Sequence, residues 1–297
     1  PILDVLLILV TIKGLTIPGA GAGLAFLFKP DWSVVTGGTF LAALGQAFFS
    51  LSLGMGCMMT YGSYLNKEEK LPNNALIVVG LDTSVALLAG LAMFPALFAF
   101  GLEPSQGPGL VFVVVPQIFA HMGGTVGMIF SAIFFVALFV AALTSSVSLL
   151  EVVVAYLIDQ RNVDRKVATY GTAVIMLITC TLSSLSLGAM SDFTVFGVGF
   201  FDFFDILTDK IFLAIGGMLL AIFAGWFLKK EDLKDELTNS GTIEFPLFEL
   251  WYNVVKYVIP ILVGIVAAVG IASIEQTSLM IFGILIIVVL AIFSKKL

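Results

Sequence analysis

The residues best suited to chemistry in this chain are hydroxyls and glycines set inside apolar runs. Ser50, Ser52, Gly54 and Gly56 interrupt the stretch 46–60, where an ordinary membrane helix carries Leu, Ile or Val. Such residues let the backbone leave helical geometry, and the carbonyls and amides so released must line a cavity or a ligand if they lie at membrane depth. The other reading is close helix packing, for which membrane proteins ordinarily use small residues. A second group is the run Ala141-Ala142-Leu143-Thr144-Ser145-Ser146-Val147-Ser148. Its hydroxyls can bond back to carbonyls one turn earlier. They also cover several helix faces, and side-chain oxygens are what a hard cation such as sodium takes as ligands.

Isolated charges form the third group. Asp82, followed by Thr83 and Ser84, is the only charge in the apolar run 75–100. It stands about seven residues in, roughly 10 Å at the helical rise, and an ionisable residue inside a span points to function unless it reaches water from the span's end. Glu151 is a similar case in its own span. Asp202 and Asp205 stand one turn apart, either as a water-facing pair or as part of an outer gate.

The elements that position these groups follow from composition. At 60% hydrophobic and 11% charged residues, the 297-residue chain has too little polar surface for a soluble globule. It reads as an all-α polytopic membrane protein, with the lipid bilayer as its main surroundings. The net charge of −6 carries no nucleic-acid meaning, because acidic residues are scattered over loops and basic ones sit at span ends. Cys57 and Cys180 read as buried thiols without a disulfide framework. A single histidine, His121, excludes a multi-histidine site, and no Ser-His-Asp, metal-ligand or phosphate-cradling pattern supports an enzyme or an organic cofactor.

Apolar windows predict eight spans, at about 2–15, 39–65 (broken), 75–100, 125–157, 168–187, 203–228, 254–274 and 279–293. Lys67, Lys70, Arg161, Arg165, Lys166, Lys229, Lys230, Lys234, Lys295 and Lys296 fall in alternate loops or at the end. Positive charges stay cytoplasmic, so both ends of the chain are predicted in the cytoplasm and the protein in the inner (plasma) membrane. The loop 101–124, with Pro104, Pro108 and Pro116 and an apolar run at 110–115, is then extracellular and reads as a lid folded back into a vestibule. The opening Pro-Ile-Leu-Asp, inside a hydrophobic run and without an initiator Met, suggests a fragment.

Four motifs carry a resemblance: Lys29-Pro30-Asp31-Trp32, Gly45-Gln46-Ala47-Phe48-Phe49-Ser50-Leu51-Ser52-Leu53-Gly54-Met55-Gly56, Thr60 to Tyr64, and Leu143-Thr144-Ser145-Ser146 followed by Glu151. With them the chain resembles the neurotransmitter:sodium symporters, especially bacterial LeuT-type sodium:amino acid symporters, a type noted for discontinuous helices at the binding site. The resemblance implies a partial LeuT-type fold. Residues 1–18 would be a truncated fifth helix of the family, 19–38 an extracellular loop, 39–230 the second inverted repeat (helices six to ten) and 231–297 two peripheral helices. The first four helices, which belong to the other repeat and supply much of the site, would be missing partners from the same protein.

Residue by residue, the resemblance implies that Phe49 is an aromatic lid over an amino-acid substrate, with Ser50 and Ser52 at the unwound point. Met55 and Leu149 would wall the side-chain pocket, with Ser145 also at the substrate. It implies a first sodium site at Ser50 and Asp82, a second at Ala141 (carbonyl), Thr144 and Ser145 (hydroxyls), and Asp205 as the gate carboxylate. Two departures stand out: Asp82 where the family usually has Asn, and Ala86 where chloride-dependent members carry Ser. Met55, in place of a common bulky aromatic, implies a flexible wall. The function expected is sodium-coupled, alternating-access symport of a hydrophobic or aromatic amino acid without chloride. The alternative is a channel or a non-transporting membrane subunit that retains the fold.

Overall fold

The computed structural model describes residues 2–104 and 107–293; Lys295 and Lys296, two of the charges that orient the chain, lie outside them. It is built of helices: α1 Ile2–Leu15, α2 Gly21–Phe28, α3 Gly37–Ser50, α4 Cys57–Ser63, α5 Leu71–Ala99 and α6 Leu110–Met122, then α7 Gly124–Arg161, α8 Arg165–Ser186, α9 Phe200–Phe227, α10 Lys230–Thr238, α11 Phe248–Ala272 and α12 Thr277–Phe293. Five of these, α5, α7, α8, α9 and α11, are long and apolar enough to cross a membrane. Large apolar side chains remain on their outer faces, among them Phe139 on α7, Leu177 on α8 and Ile261 on α11. Helices that are apolar all round face lipid as well as one another.

Two stretches read as loops differ in the structure. Residues 19–38 contain α2, whose Gly23 lies so close to α5 that a Cβ would run into the backbone of Phe94 and Pro95. The run after Pro108 is the helix α6 and not a loop. Its first turns, Leu110–Val114, are π-helical, and Pro116, which has no N–H to donate, sits where these turns give way to α-helix.

The chain forms two compact units interleaved in sequence: residues 1–35 with 76–147, and residues 36–75 with 148–297. In the first unit α1, α5, α6 and α7 share a core of Val10, Ala92, Ala96, Leu97, Val115, Ile118, Phe119 and Phe134. The Thr11 hydroxyl donates to the Leu88 carbonyl at 3.1 Å, which satisfies a polar group against α5. In the turn after α2, Asp31 accepts from the Ser33 hydroxyl and amide, which hold its carboxyl below the usual carboxylate range.

In the second unit α9, α11 and α12 pack through two apolar clusters, one around Ile211 and Leu279 and one around Ala214, Val263 and Ala267 with Phe48 against it. At the far end of α9 the Trp226 indole donates to the Lys256 carbonyl at 3.0 Å and the Tyr252 hydroxyl to the Gly225 carbonyl at 3.2 Å. These rings combine an apolar body with a polar handle, as aromatic residues do at membrane interfaces.

Candidate functional site

The centre of the site is the interruption between α3 and α4. Helical geometry stops at Ser50 and resumes at Cys57. Ser52, Gly54 and Gly56 all take left-handed φ values, 53°, 80° and 85°, a conformation glycine accepts freely and other residues only at a cost. The amides of Leu51, Ser52 and Leu53 bond back to the carbonyls of Ala47, Phe49 and Phe48 and close the last turn of α3. Beyond it, Gly56 starts α4 by accepting from the Thr60 amide at 2.9 Å and hydroxyl at 3.1 Å. The glycine and serine pattern therefore does what it predicts: it breaks an apolar segment into two short helices.

α4 is tied to α7 along one face. The Tyr61 hydroxyl donates to Ser148, and the Tyr64 hydroxyl donates to Glu151 at 2.7 Å. Arg165, from the start of α8, also holds the Glu151 carboxylate, through contacts of 2.8 and 2.9 Å. Glu151 is thus an acceptor for two elements at once, a role the sequence reading did not give it. The matching three-residue spacing of Tyr61 and Tyr64 with Ser148 and Glu151 is the signal that exposes it, because residues three apart share a helix face.

Met55, at the end of the break, and Leu149 line one cavity of about 720 Å³ together with Val152, Val153 and residues of α8. Phe49, Ser50 and Ser52 lie in the same unit. Phe49 is exposed on the last turn of α3, Ser50 ends that helix, and Ser52 is half-buried in the break.

The remaining oxygen donors belong to the first unit. Asp82 is half-buried on α5, and because that helix begins at Leu71 the carboxylate stands about 11 residues, roughly 17 Å, from its end. The next two hydroxyls, Thr83 and Ser84, bond back to Val79 and Gly80. On α7 the Thr144 hydroxyl donates to the Ala141 carbonyl at 2.8 Å, which brings two of the predicted cation ligands together, and Ser145 is exposed beside them. Ser146 bonds back to Ala142 at 2.8 Å. Ser50 and Asp82 fall in different units, each described by itself. Among the described residues no group of three His, Cys, Asp or Glu side chains is placed to hold a metal ion. The available ligands are single carboxylates, hydroxyls and carbonyls, the oxygen set of an alkali cation.

Asp205 is exposed on α9, one turn after Asp202 and one turn before Asp209. There α9 becomes π-helical over Ile206–Leu213, a wide-turn geometry frequent at functional sites. On the following turn the Lys210 ammonium donates at 3.3 Å to the hydroxyl of Ser273, the residue that caps the end of α11.

Comparison with known proteins accords with this arrangement. The chain is 38% identical over 267 residues to an uncharacterized sodium-dependent transporter of Haemophilus influenzae, covering 90% of this chain and 57% of that protein. It is 36% identical over 266 residues to the uncharacterized sodium-dependent transporter YhdH of Bacillus subtilis, covering 90% of this chain and 58% of that one. Among solved structures it resembles MhsT in complex with L-phenylalanine, with 46% identity, a TM-score of 0.78, and coverage of 90% of this chain and 60% of MhsT. The chain thus spans less than two thirds of the length of the curated relatives it matches. They are transporters and not enzymes, and the all-helical LeuT-type fold agrees with a multi-pass membrane protein. Residues 2–283 match the sodium:neurotransmitter symporter family, and the chain belongs to that family.

Proposed function

We propose that the protein carrying this chain is a sodium-coupled symporter that takes up a hydrophobic or aromatic amino acid by alternating access, without chloride. The observation that carries this reading is the helix break at 51–56, where three left-handed residues, Ser52, Gly54 and Gly56, alternate with Leu53 and Met55. A break inside an apolar segment is tolerated where it lines a cavity, and such breaks are where symporters of this kind hold substrate and ions. The 46% identity to a protein solved with L-phenylalanine favours an apolar or aromatic side chain, and the flexible Met55 wall suits it.

In this reading Phe49, Ser50, Ser52, Met55, Ser145 and Leu149 contact the substrate. Ser50 and Asp82 serve the first sodium ion, and Ala141, Thr144 and Ser145 the second. Asp205 is the gate carboxylate. Both sodium ions are cargo. The three shorter apolar elements, α1, the α3–α4 pair and α12, join the five long helices as spans to make eight, with the Lys67, Arg161 and Lys229 loops on the cytoplasmic face of the plasma membrane. Residues 39–230 would form the second inverted repeat and 231–297 the peripheral helices.

The test is uptake of radiolabelled phenylalanine into liposomes that contain the complete protein. An inward sodium gradient should drive accumulation at least tenfold above that seen with choline. Equal uptake in sodium and choline would overturn the reading.

A further inference from the structure

Past the last bonds back to α3 the break is no longer held by a helix of its own, and α9 supplies a surface against it with no side chain in between. A Cβ on Gly54 would run into the Leu213 carbonyl oxygen and stand 2.8 Å from the Gly217 amide nitrogen. A Cβ on Gly216 would lie 2.6 Å from the Gly54 carbonyl oxygen, and one on Gly217 would strike the Phe48 ring. Phe48, on the last turns of α3, is itself packed against Ala214, Val263 and Ala267. Backbone therefore meets backbone at Gly54 and Gly216, while the turn before the break rests on Gly217. All of these residues belong to one compact unit.

We propose that Gly216 and Gly217 are positioning residues that seat the broken segment, fixing where its non-helical backbone presents itself to substrate and sodium. The inference rests on the proposed symport for its functional consequence, although the seat itself is geometric. Two features separate this from ordinary small-residue packing. The contact falls at Gly54, in the middle of the non-helical stretch, and not along a helix–helix seam. The seat also follows directly on the π-helical turns Ile206–Leu213 that separate it from Asp205, so any movement of the gate end of α9 is delivered to the segment that would hold the substrate.

The two glycines make different demands. A methyl at Gly216 meets backbone, which cannot be trimmed. A methyl at Gly217 meets a side chain, which can. In the complete protein in lipid nanodiscs, Gly216→Ala should therefore accelerate hydrogen exchange of the 51–56 amides at least tenfold and weaken sodium-dependent phenylalanine binding at least tenfold. Gly217→Ala should do the same, and Phe48→Leu should restore binding to the Gly217→Ala protein but not to Gly216→Ala. Gly21→Ala, at a position with open space around it, should change neither measurement. Wild-type exchange at 51–56 in Gly216→Ala, or no rescue of Gly217→Ala by Phe48→Leu, would overturn the proposal. If Gly216→Ala does not fold, the rescue experiment decides. If the unsubstituted protein binds no phenylalanine with sodium, the symport reading fails, and exchange at 51–56 still decides whether the seat exists.

Discussion

Tyr64 donates to the Oε1 atom of Glu151 at 2.7 Å, and a guanidinium nitrogen of Arg165 reaches the same oxygen at 2.9 Å. One carboxylate thus joins the short helix after the break to two long helices, and the parallel Tyr61 to Ser148 bond keeps the same face in register. Charge-assisted bonds of this kind are directional as well as strong, so α4 cannot turn about its axis without breaking at least one of them. A movement that opens the site toward the Arg165 end of α8 has to release this contact.

Substitutions along that chain of contacts should therefore act as one unit. Tyr64→Phe and Glu151→Gln should each lower the rate of sodium-driven uptake, by about tenfold on the scale of coupled contacts. The double variant should be no worse than Glu151→Gln alone. Uptake rates from the four-member cycle check this, and fully additive losses would show that the two residues act separately.

The break itself predicts an asymmetry between two small residues. Gly56→Ala puts a Cβ at a φ of 85° and 3.0 Å from the Val152 side chain, and should destabilise by about 1–2 kcal/mol, the cost of left-handed geometry with a side chain. Ser52 already carries that cost at a φ of 53°, so Ser52→Gly should leave the melting temperature unchanged or raise it. Thermal unfolding of the purified variants measures both. A Gly56→Ala protein as stable as wild type would mean that the break is not held in this conformation.

Much of this was legible in the residues. Apolar windows located the five long helices, and Ser50, Ser52, Gly54 and Gly56 marked the break because their backbone preferences are local. Long-range partners were not legible in the same way. Glu151 read as an isolated charge because Tyr64 lies 87 positions away, and Gly216 and Gly217 read as helix residues because nothing nearby in sequence reveals what lies against them. The helix α6 reads as a loop because three prolines outweigh its apolar run, although Pro116 falls at the junction of the π-helical and α-helical turns.

The hydroxyl cluster on α7 makes a prediction that separates binding from packing. The Thr144 to Ala141 bond of 2.8 Å closes within one helical turn, and such back-bonds add little to helix stability. Replacing Thr144 and Ser145 with Ala should thus leave the melting temperature within a few degrees while raising the sodium concentration for half-maximal uptake at least tenfold, since the proposed second sodium site would lose two oxygen ligands. Equal sodium dependence in the variant would mean that these hydroxyls only pack.

Asp82 makes the most specific prediction, because its charge bears on ion coupling. A sodium ion held next to a zwitterionic substrate leaves one positive charge uncompensated, and an uncompensated charge away from water is costly. A bound anion such as chloride is one way to meet that cost. The family resemblance puts Ala86 where chloride-dependent members would carry Ser, whereas Asp82, half-buried about 17 Å along α5, places a carboxylate within the helix. If that carboxylate ligates the first sodium ion, the compensating charge is part of the protein and chloride has no remaining task. Uptake should then continue unchanged when chloride is replaced by gluconate. Asp82→Asn removes the charge and keeps the shape, so it should lower uptake at least tenfold in gluconate, and any activity it retains should rise with added chloride. Loss of uptake by the unsubstituted protein in gluconate would refute this assignment while leaving sodium coupling itself intact.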